Sequence, residues 1–219
     1  MVRPGIAMPS TKVNWFESTD VVPMFPTLVW KLQLRAEFHR AMQEKILAAI
    51  EKRGLPRLRN GEAWQSERNL HLAEELRELS SSVEQATASV LRFLHIGYDA
   101  FHITGCWANV LAQGASHRAH SHPNNYLSGV YYVRTAPGAD TINFHDPRAQ
   151  TGIIRPPVTE LTGENTDQIV MRVTEGTLLL FPAYLQHSVD ANPGEEPRIS
   201  VSFNVMFSGF AENLSKPLW

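Results

Sequence analysis

The sequence predicts a mainly β or α+β domain in which helices lie against the outside of a sandwich or barrel. Helix-like apolar stripes fill the first half of the chain. Short strand-like runs separated by Pro, Gly, Asn and Asp fill the second half. Strands and helices do not alternate, which argues against a parallel βαβ arrangement. With 219 residues the chain is long enough for one well-buried core.

The first predicted element is a strand in "FPTLVWKLQL", residues 25–34, after a loosely ordered lead-in at residues 1–22. Alternate side chains of this run are apolar, so they share one face of a strand. They are Leu28, Trp30, Leu32 and Leu34. The strand therefore buries one face and begins a single domain that we expect to span residues 23–219.

Two helices are predicted next, at 36–53 and 70–96, within a helical part that ends at residue 97. Each has apolar residues three or four positions apart, which places them on one face. The first stripe is Phe38, Met42, Ile46, Ala49 and Ile50, and the second is Leu72, Leu76, Leu79, Val83, Val90 and Leu94. We expect the second stripe, from Leu72 to Val83, to pack against sheet residues such as Val201 and Phe203.

The remaining strands are predicted to form a barrel core over residues 101–207. Each is a short run of β-branched, aromatic or aliphatic residues bounded by turn residues. The runs are 101–111, 126–134, 141–145, 168–173, 177–182 and 198–207. Helices that come first and strands that follow them favour one layered domain.

The last run, "RISVSFNVMF", has two different faces because side chains alternate along a strand. One face is apolar: Ile199, Val201, Phe203, Val205 and Phe207. The other carries Arg198, Ser200, Ser202, Asn204 and Met206. This polar face is either a solvent-facing surface or the lining of a barrel. As a lining it would let Arg198 hold an anionic ligand by a bidentate pair, whereas a surface Arg198 would pair with Glu195 or Glu196 in the preceding turn.

Composition argues against several classes of function. Lys+Arg 20 against Asp+Glu 22 gives a net charge of −2, without the basic excess of a general nucleic-acid-binding protein. The single cysteine, Cys106, rules out an internal disulfide. No apolar run is long enough to cross a bilayer, and the N-terminus lacks the apolar segment of a signal peptide. We therefore expect a soluble, cytoplasmic protein without membrane contact, and a homodimer through the longer helix is left open.

The histidines point to a metal site. In "HRAHSHPNNYLSGVYYV", His120 and His122 are two residues apart, so on an extended backbone both rings project to the same side and can chelate one divalent ion. A third ligand from a distant strand would complete the site, and His187 follows the buried run that ends at Pro182. His117 is predicted to point away from the pair, towards solvent or an outer position.

These residues carry a resemblance to a known family. A histidine motif on one strand, a distal histidine and an arginine 11 residues beyond it resemble the Fe(II)/2-oxoglutarate-dependent dioxygenases. The likeness is narrower to an uncharacterised bacterial and phage branch, through "FPTLVW", "WAN", "HSHPNNYLSGVYYV", "INFHDPR", "GTLLLFPAYLQHSV" and "RISVSFN". It implies a double-stranded β-helix (jelly-roll) barrel with the N-terminal helices packed on its outside.

The resemblance also implies roles for residues. His120, His122 and His187 would hold Fe(II), and Arg198 would pair with the distal carboxylate of 2-oxoglutarate. Further pocket candidates are Tyr132, Asn109, Ser200 and Asn204. The protein would then use O2 to hydroxylate a substrate that the sequence does not identify, releasing succinate and CO2.

This chain departs from the family at one ligand position. The family usually has Asp or Glu where this chain has His122, giving two histidines and one carboxylate. Related barrels with three histidines at the iron exist, so catalysis remains compatible with the substitution. Asp146 is the best candidate for a restored carboxylate, and Asp140, Glu175 and Asp190 are weaker ones.

Two other functions fit the same residues. One is a cupin-like three-histidine dioxygenase or metal-dependent isomerase that uses no 2-oxoglutarate and binds its substrate with Arg198. The other is a non-catalytic, metal-stabilised β-sandwich that serves as a binding module. Binding of 2-oxoglutarate would distinguish the 2-oxoglutarate-dependent dioxygenase from these two alternatives. Turnover of any substrate would distinguish both enzymes from the binding module.

Overall fold

The computed structural model describes residue 15, residues 17–148, residue 153 and residues 156–211, so most of the predicted lead-in at 1–22 lies outside the described residues. The strands are β1 (Trp30–Gln33), β2 (Ala63–Gln65), β3 (Phe101–Leu111), β4 (His117–His120), β5 (Leu127–Arg134), β6 (Thr141–His145), β7 (Gln168–Arg172), β8 (Thr177–Pro182), β9 (His187–Val189) and β10 (Arg198–Phe207). The helices are α1 (Ala36–Lys52), α2 (Arg77–Phe93) and α3 (Ser208–Ala211), with 3₁₀ turns at Leu70–Leu72 and Glu74–Leu76.

The strands form two antiparallel sheets. The larger has the order β1-β8-β5-β10-β3-β2 and the smaller the order β4-β9-β6-β7. Strands distant in sequence are neighbours in both sheets, as in a jelly roll. The predicted mainly β jelly-roll class is therefore confirmed. Hydrogen bonds do not close the two sheets into one barrel among the residues described, so the architecture is a sandwich of two facing sheets.

Helices α1 and α2 cover the outer face of the larger sheet. Val201 and Phe203 of β10 share one hydrophobic core with Leu76, Leu79 and Val83, as predicted. The opposite face of β10 is turned towards the smaller sheet, because successive side chains of a strand point to opposite faces. The strand thus separates a dry helix-packed layer from a polar interior.

The prediction that Leu72 is buried is wrong. Its side chain is 76% exposed, and Phe38, which was placed on the apolar stripe of α1, is 60% exposed. Residues 70–76 form two 3₁₀ turns rather than the first two turns of a long helix. With three residues per turn instead of 3.6, the apolar spacing no longer keeps one face towards the sheet. The regular α-helical stripe begins only at Arg77.

Three short strands were not predicted, and they matter for the site. β2, β4 and β9 are three or four residues long, and their sequences lack the alternating apolar pattern of a half-buried strand. β2 and β4 are edge strands of the two sheets, whereas β9 lies between β4 and β6 in the smaller sheet. The predicted strand at 25–34 is also shorter in the structure, beginning at Trp30.

No helix in the described part of the chain combines the length and the apolar character needed to span a membrane.

Replacing Gly129 by alanine is expected to destabilise the larger sheet strongly. A Cβ atom at this position in β5 would lie 2.2 Å from the Phe203 ring and 2.4 Å from the carbonyl oxygen of Leu179. Neither neighbour can move freely in a packed sheet, so the free energy of unfolding should fall by about 1–3 kcal/mol or more. Urea denaturation measures the loss. Gly97→Ala is the control, since nothing lies within 4 Å of a Cβ there. Equal stability of the two variants would contradict the expectation.

Candidate metal centre

Three histidines from separate parts of the chain meet at one end of the smaller sheet. His120 ends β4, His187 begins β9, and the two are paired across neighbouring strands. His122 follows two residues after β4, where its backbone N–H donates to Ala183. One ring nitrogen from each histidine lies within 4.8 Å of the others. Ring centroids are 4.4 Å apart for His120 and His187, and 5.2 Å apart for His122 and His187.

Backbone carbonyls orient two of these rings. Nδ1 of His187 lies 3.0 Å from the oxygen of Leu185, and Nδ1 of His120 lies 2.7 Å from the oxygen of Arg118. A carbonyl can only accept a hydrogen bond, so each Nδ1 carries the proton and each Nε2 keeps a free lone pair. A metal ligand requires such a lone pair, and a backbone partner on the other nitrogen is the usual support for a metal-binding histidine.

Two of the three histidines, His122 and His187, have lowered pKa values. Burial, with the neighbouring His187 and His120, lowers the pKa of His122 to about 3. Burial also lowers the pKa of His187 to about 4, although the hydrogen bond to Leu185 opposes this shift. No carboxylate joins the cluster within the described ranges. Three imidazoles at this separation are a donor set that suits divalent Fe, Zn, Cu or Ni.

The lowered pKa values predict that the metal-free protein loses stability in acid. Well above pH 6.5 the rings of His122 and His187 are neutral in both the folded and the unfolded chain. Below that pH the unfolded chain takes up protons, whereas folded His122 resists protonation until about pH 3. The free energy of unfolding should therefore fall as the pH falls through this window.

The measurement is urea denaturation of metal-free protein at about pH 7 and about pH 5, where proton uptake by the two states differs. His122→Gln should lose less stability between the two pH values than the wild type does. His102→Gln, at an exposed histidine, is the control and should follow the wild type. If the free energy of unfolding falls by the same amount in all three proteins between the two pH values, the burial of a neutral ring at His122 would be contradicted.

A small polar cavity lies next to the histidines, between the two sheets. Its volume is about 40 Å³, the space of a few water molecules. The residues that line it come from seven strands: Gln65, Trp107, Asn109, His117, His120, Val130, Tyr132, Ile142, His187, Val189, Arg198, Ser200 and Ser202. The polar face of β10 is thus an interior lining rather than a solvent-facing surface.

Arg198 is buried in this cavity with incomplete hydrogen bonding. Its side chain is 3% exposed, and one Nη donates to the carbonyl oxygen of Thr141 at 3.2 Å. Its guanidinium carbon lies 5.3 Å from the centre of the Tyr132 ring. Arg198 and the Tyr132 hydroxyl interact with each other, but neither the hydroxyl nor Arg198 Nε, both buried, makes a well-aligned hydrogen bond among the residues described. Burial raises the pKa of Tyr132 to about 12, and the nearby Arg198 cation opposes that rise.

No ion pair between Arg198 and Glu195 or Glu196 exists in the described part of the chain, so the surface alternative for this arginine is wrong. Burial lowers the pKa of Arg198, while Tyr132 and the more distant Asp140 and Asp190 raise it. A buried guanidinium without a carboxylate partner is costly. An anionic ligand in the cavity would supply the missing partner.

The other predicted pocket residues divide into two groups. Asn109, Ser200 and Tyr132 line the cavity, whereas Asn204 lies further along β10 and accepts a hydrogen bond from Ser128 at 2.8 Å. Asn109 also accepts from Gln65 at 2.8 Å and donates to Ser202 at 2.9 Å. These hydrogen bonds between amide and hydroxyl groups hold the cavity lining in place next to β2.

Sequence reasoning missed two residues beside the metal centre. Trp107 lines the cavity and contacts the His122 ring with its centroid at 5.9 Å, and the motif "WAN", which places it two residues before Asn109 on one strand, was the available signal. His117 was predicted to point away, yet it faces the cavity with its ring centre 6.3 Å from that of His120. The pairing of β4 with β9 shifts between His117 and His120, which breaks the strict alternation of side chains.

Asp146 does not join the three histidines. It pairs with Arg148, with Nη2 at 2.6 Å from Oδ2, and Arg148 holds its pKa below the usual value. The weaker carboxylate candidates are also engaged elsewhere: Asp140 with Arg172, Glu175 with His39, and Asp190 with Asn143.

Asp146 and Arg148 line a second, larger cavity of about 420 Å³. Its walls also include residues 23–27, which precede β1, and the side chains of Phe144 and Leu185. The Phe144 ring contacts the His187 ring at 6.3 Å between centroids. The cavity is in the size range of small-molecule sites and is one side chain away from the histidine cluster.

Comparison with known proteins agrees with this geometry. Residues 105–204 match the family model described as "Putative 2OG-Fe(II) oxygenase", where 2OG is 2-oxoglutarate. This segment contains all three histidines and Arg198. No curated protein matches the chain in sequence.

Solved structures resemble the fold. A prolyl-4-hydroxylase from Pseudomonas putida has a TM-score of 0.58 at 15% identity, covering 84% of this chain and 94% of that one. The α-ketoglutarate-dependent carbocyclase SnoK from nogalamycin biosynthesis has a TM-score of 0.62 at 14% identity, covering 88% and 89%. HygX from Streptomyces hygroscopicus, solved with nickel and 2-oxoglutarate, has a TM-score of 0.59 at 10% identity, covering 83% of each chain. This chain therefore resembles the 2OG-Fe(II) oxygenase family in sequence over residues 105–204 and has the fold of 2-oxoglutarate-dependent enzymes over most of its length.

Proposed function

We propose that this protein is an Fe(II)- and 2-oxoglutarate-dependent oxygenase. The reaction would couple O2 and 2-oxoglutarate to the hydroxylation of a substrate, with release of succinate and CO2. One observation carries the proposal: two of the three clustered imidazoles, those of His120 and His187, line the same cavity as the buried guanidinium of Arg198, which has no carboxylate partner among the described residues. A metal at one end and an arginine at the other match the two ends of 2-oxoglutarate.

The donor set fits iron. His120, His122 and His187 would bind Fe(II) through ring nitrogens, and the carbonyls of Arg118 and Leu185 would hold two of the rings in place. Three ligands leave positions open for the cosubstrate and O2. With no carboxylate among the ligands, the centre keeps one more positive charge than the usual two-histidine, one-carboxylate site, which favours anionic ligands.

The opposite end of the cavity fits a carboxylate. Arg198 would form a bidentate pair with the distal carboxylate of 2-oxoglutarate, and Ser200 and Tyr132 would offer hydroxyl donors. The cavity of about 40 Å³ suits a carboxylate group rather than the whole molecule, so the chelating end would lie among the histidines. The Nε of Arg198 and the hydroxyl of Tyr132 support this assignment, because neither makes a well-aligned hydrogen bond among the described residues.

Bound iron and 2-oxoglutarate would together activate O2, and the protein would position them and exclude water. Phe181 packs against His187 with ring centres 4.8 Å apart, and Phe144 packs against both. Trp107 covers the edge of His122. These rings would keep bulk water away from two of the three ligands. The larger cavity beside Phe144 would provide space for the substrate.

The decisive test uses protein purified without oxygen and loaded with Fe(II). Calorimetry should show one 2-oxoglutarate bound per iron, and admission of O2 should convert 2-oxoglutarate into succinate even without substrate, at a slow rate. Failure to bind 2-oxoglutarate would remove the proposal and favour the cupin-like enzyme. Binding without any conversion would favour the non-catalytic module.

A further inference from the structure

His117 lines the same cavity as His120, His187 and Arg198 but has no place in the function proposed so far. Its ring contacts that of His120, with centroids 6.3 Å apart and the planes at 83°. Arg198 is close enough for its charge to act on this ring. Neither ring nitrogen of His117 has a hydrogen-bond partner among the residues described. A partly buried polar side chain therefore faces the cavity without a protein hydrogen-bond partner in the described part of the chain.

The local backbone places this ring inside. His117 pairs with Val189 and His120 pairs with His187, and the register shifts between these two pairs. In a regular strand, residues three positions apart would point to opposite faces. The irregularity instead turns both imidazoles into the space between the sheets. A histidine that served only as a surface residue would not need this arrangement.

We propose that His117 is a cosubstrate-positioning residue that donates a hydrogen bond to the metal-chelating end of 2-oxoglutarate. This inference rests on the proposed function. The contact with His120 puts His117 at the metal end of the cavity, while Arg198 serves the distal carboxylate. A neutral imidazole carries one N–H donor, and a carboxylate bound to a centre with three uncharged ligands has oxygen lone pairs left to accept it.

The test compares two ligands on nickel-loaded protein, which binds but does not turn over. 2-Oxoglutarate has both ends, whereas pyruvate has the chelating 2-oxo acid end and lacks the distal carboxylate. We expect His117→Ala to weaken binding of both ligands about tenfold, since a hydrogen bond to a charged group has that effect on affinity. Arg198→Met should weaken binding of 2-oxoglutarate and leave that of pyruvate unchanged.

Two further variants separate a direct hydrogen bond from a structural effect. His117→Asn keeps an N–H donor and should recover part of the lost affinity for both ligands. His102→Ala removes an exposed histidine of β3 outside the site and should match the wild type in both titrations. Nickel affinity, measured separately, should be unchanged in every variant at position 117.

The binding results with His117→Ala support or overturn the proposed role of His117. Wild-type affinity of His117→Ala for both ligands would overturn the inference, and so would loss of nickel binding, which would mean that His117 acts on the metal ligands. Loss of 2-oxoglutarate affinity with pyruvate unaffected would place His117 at the distal end and overturn the assignment to the metal end. If wild-type protein binds neither ligand, the proposed function itself fails, and that failure is visible before any variant is made.

Discussion

Metal analysis of His122→Ala is expected to show severe loss of iron, with affinity lowered by more than roughly 100-fold. Mutation of a residue that only hydrogen-bonds to a metal ligand typically lowers metal affinity about 10- to 100-fold. His122 would be a ligand itself, so its loss should have a larger effect. Its ring nitrogen lies within 4.8 Å of those of His120 and His187. Two neutral imidazoles alone would leave a weak chelate.

The control for this variant is His102→Ala, which removes an exposed histidine of β3 that is not part of the cluster. Its iron content should equal that of the wild type. His122→Asp is the informative companion, because it restores the carboxylate that the family usually has and should retain iron. Unchanged iron occupancy in His122→Ala would exclude His122 as a ligand and would require a substitute such as Asp146 to leave its pair with Arg148.

Arg198→Met should leave iron binding intact and abolish 2-oxoglutarate binding, with affinity lowered by at least about 100-fold. Two charge-assisted hydrogen bonds of about 1.5–3 kcal/mol each account for a loss of this size. Methionine keeps the apolar part of the buried side chain, which limits the effect on folding. Calorimetric titration of the iron- or nickel-loaded variant is the measurement.

Arg198→Lys should restore only part of the affinity, because an ammonium group cannot reproduce the two-pronged geometry of a guanidinium. Arg172→Met is the matched control, since this arginine lies on the exposed side of β7 and pairs with Asp140 at 3.0 Å. Undiminished affinity of Arg198→Met for 2-oxoglutarate would refute the cosubstrate role. That result would favour an enzyme that does not use 2-oxoglutarate and binds its own substrate with Arg198.

Local patterns in the sequence determined most of the fold. The alternation of Val201 and Phe203 with Ser200 and Ser202 predicted both faces of β10, and the structure has the apolar face in the helix-packed core. The spacing of Leu79 and Val83 likewise predicted the buried face of α2. These predictions succeeded because the burial of a regular strand or helix depends on a repeat within a few residues, which a single sequence displays.

Other features depended on contacts between distant parts of the chain. Leu72 is exposed because residues 70–76 turn in 3₁₀ geometry, and His117 faces inward because the β4–β9 pairing is irregular. Asn204 bonds to Ser128 instead of lining the cavity, although it shares the strand face of Arg198. Residue spacing alone gave none of these outcomes.

The composition of the histidine cluster was likewise predicted only in part from the sequence. The sequence by itself determined that His120 and His122 are close, since only one residue separates them. Only the tertiary structure decided that His187, 65 residues beyond His122 in sequence, joins them and that no carboxylate does so among the described residues. It also decided that Arg198 lines the same cavity as His120 and His187, without a carboxylate partner in the described part of the chain. The physical reason is that strand pairing across the two sheets, rather than distance along the chain, fixes which side chains share a site.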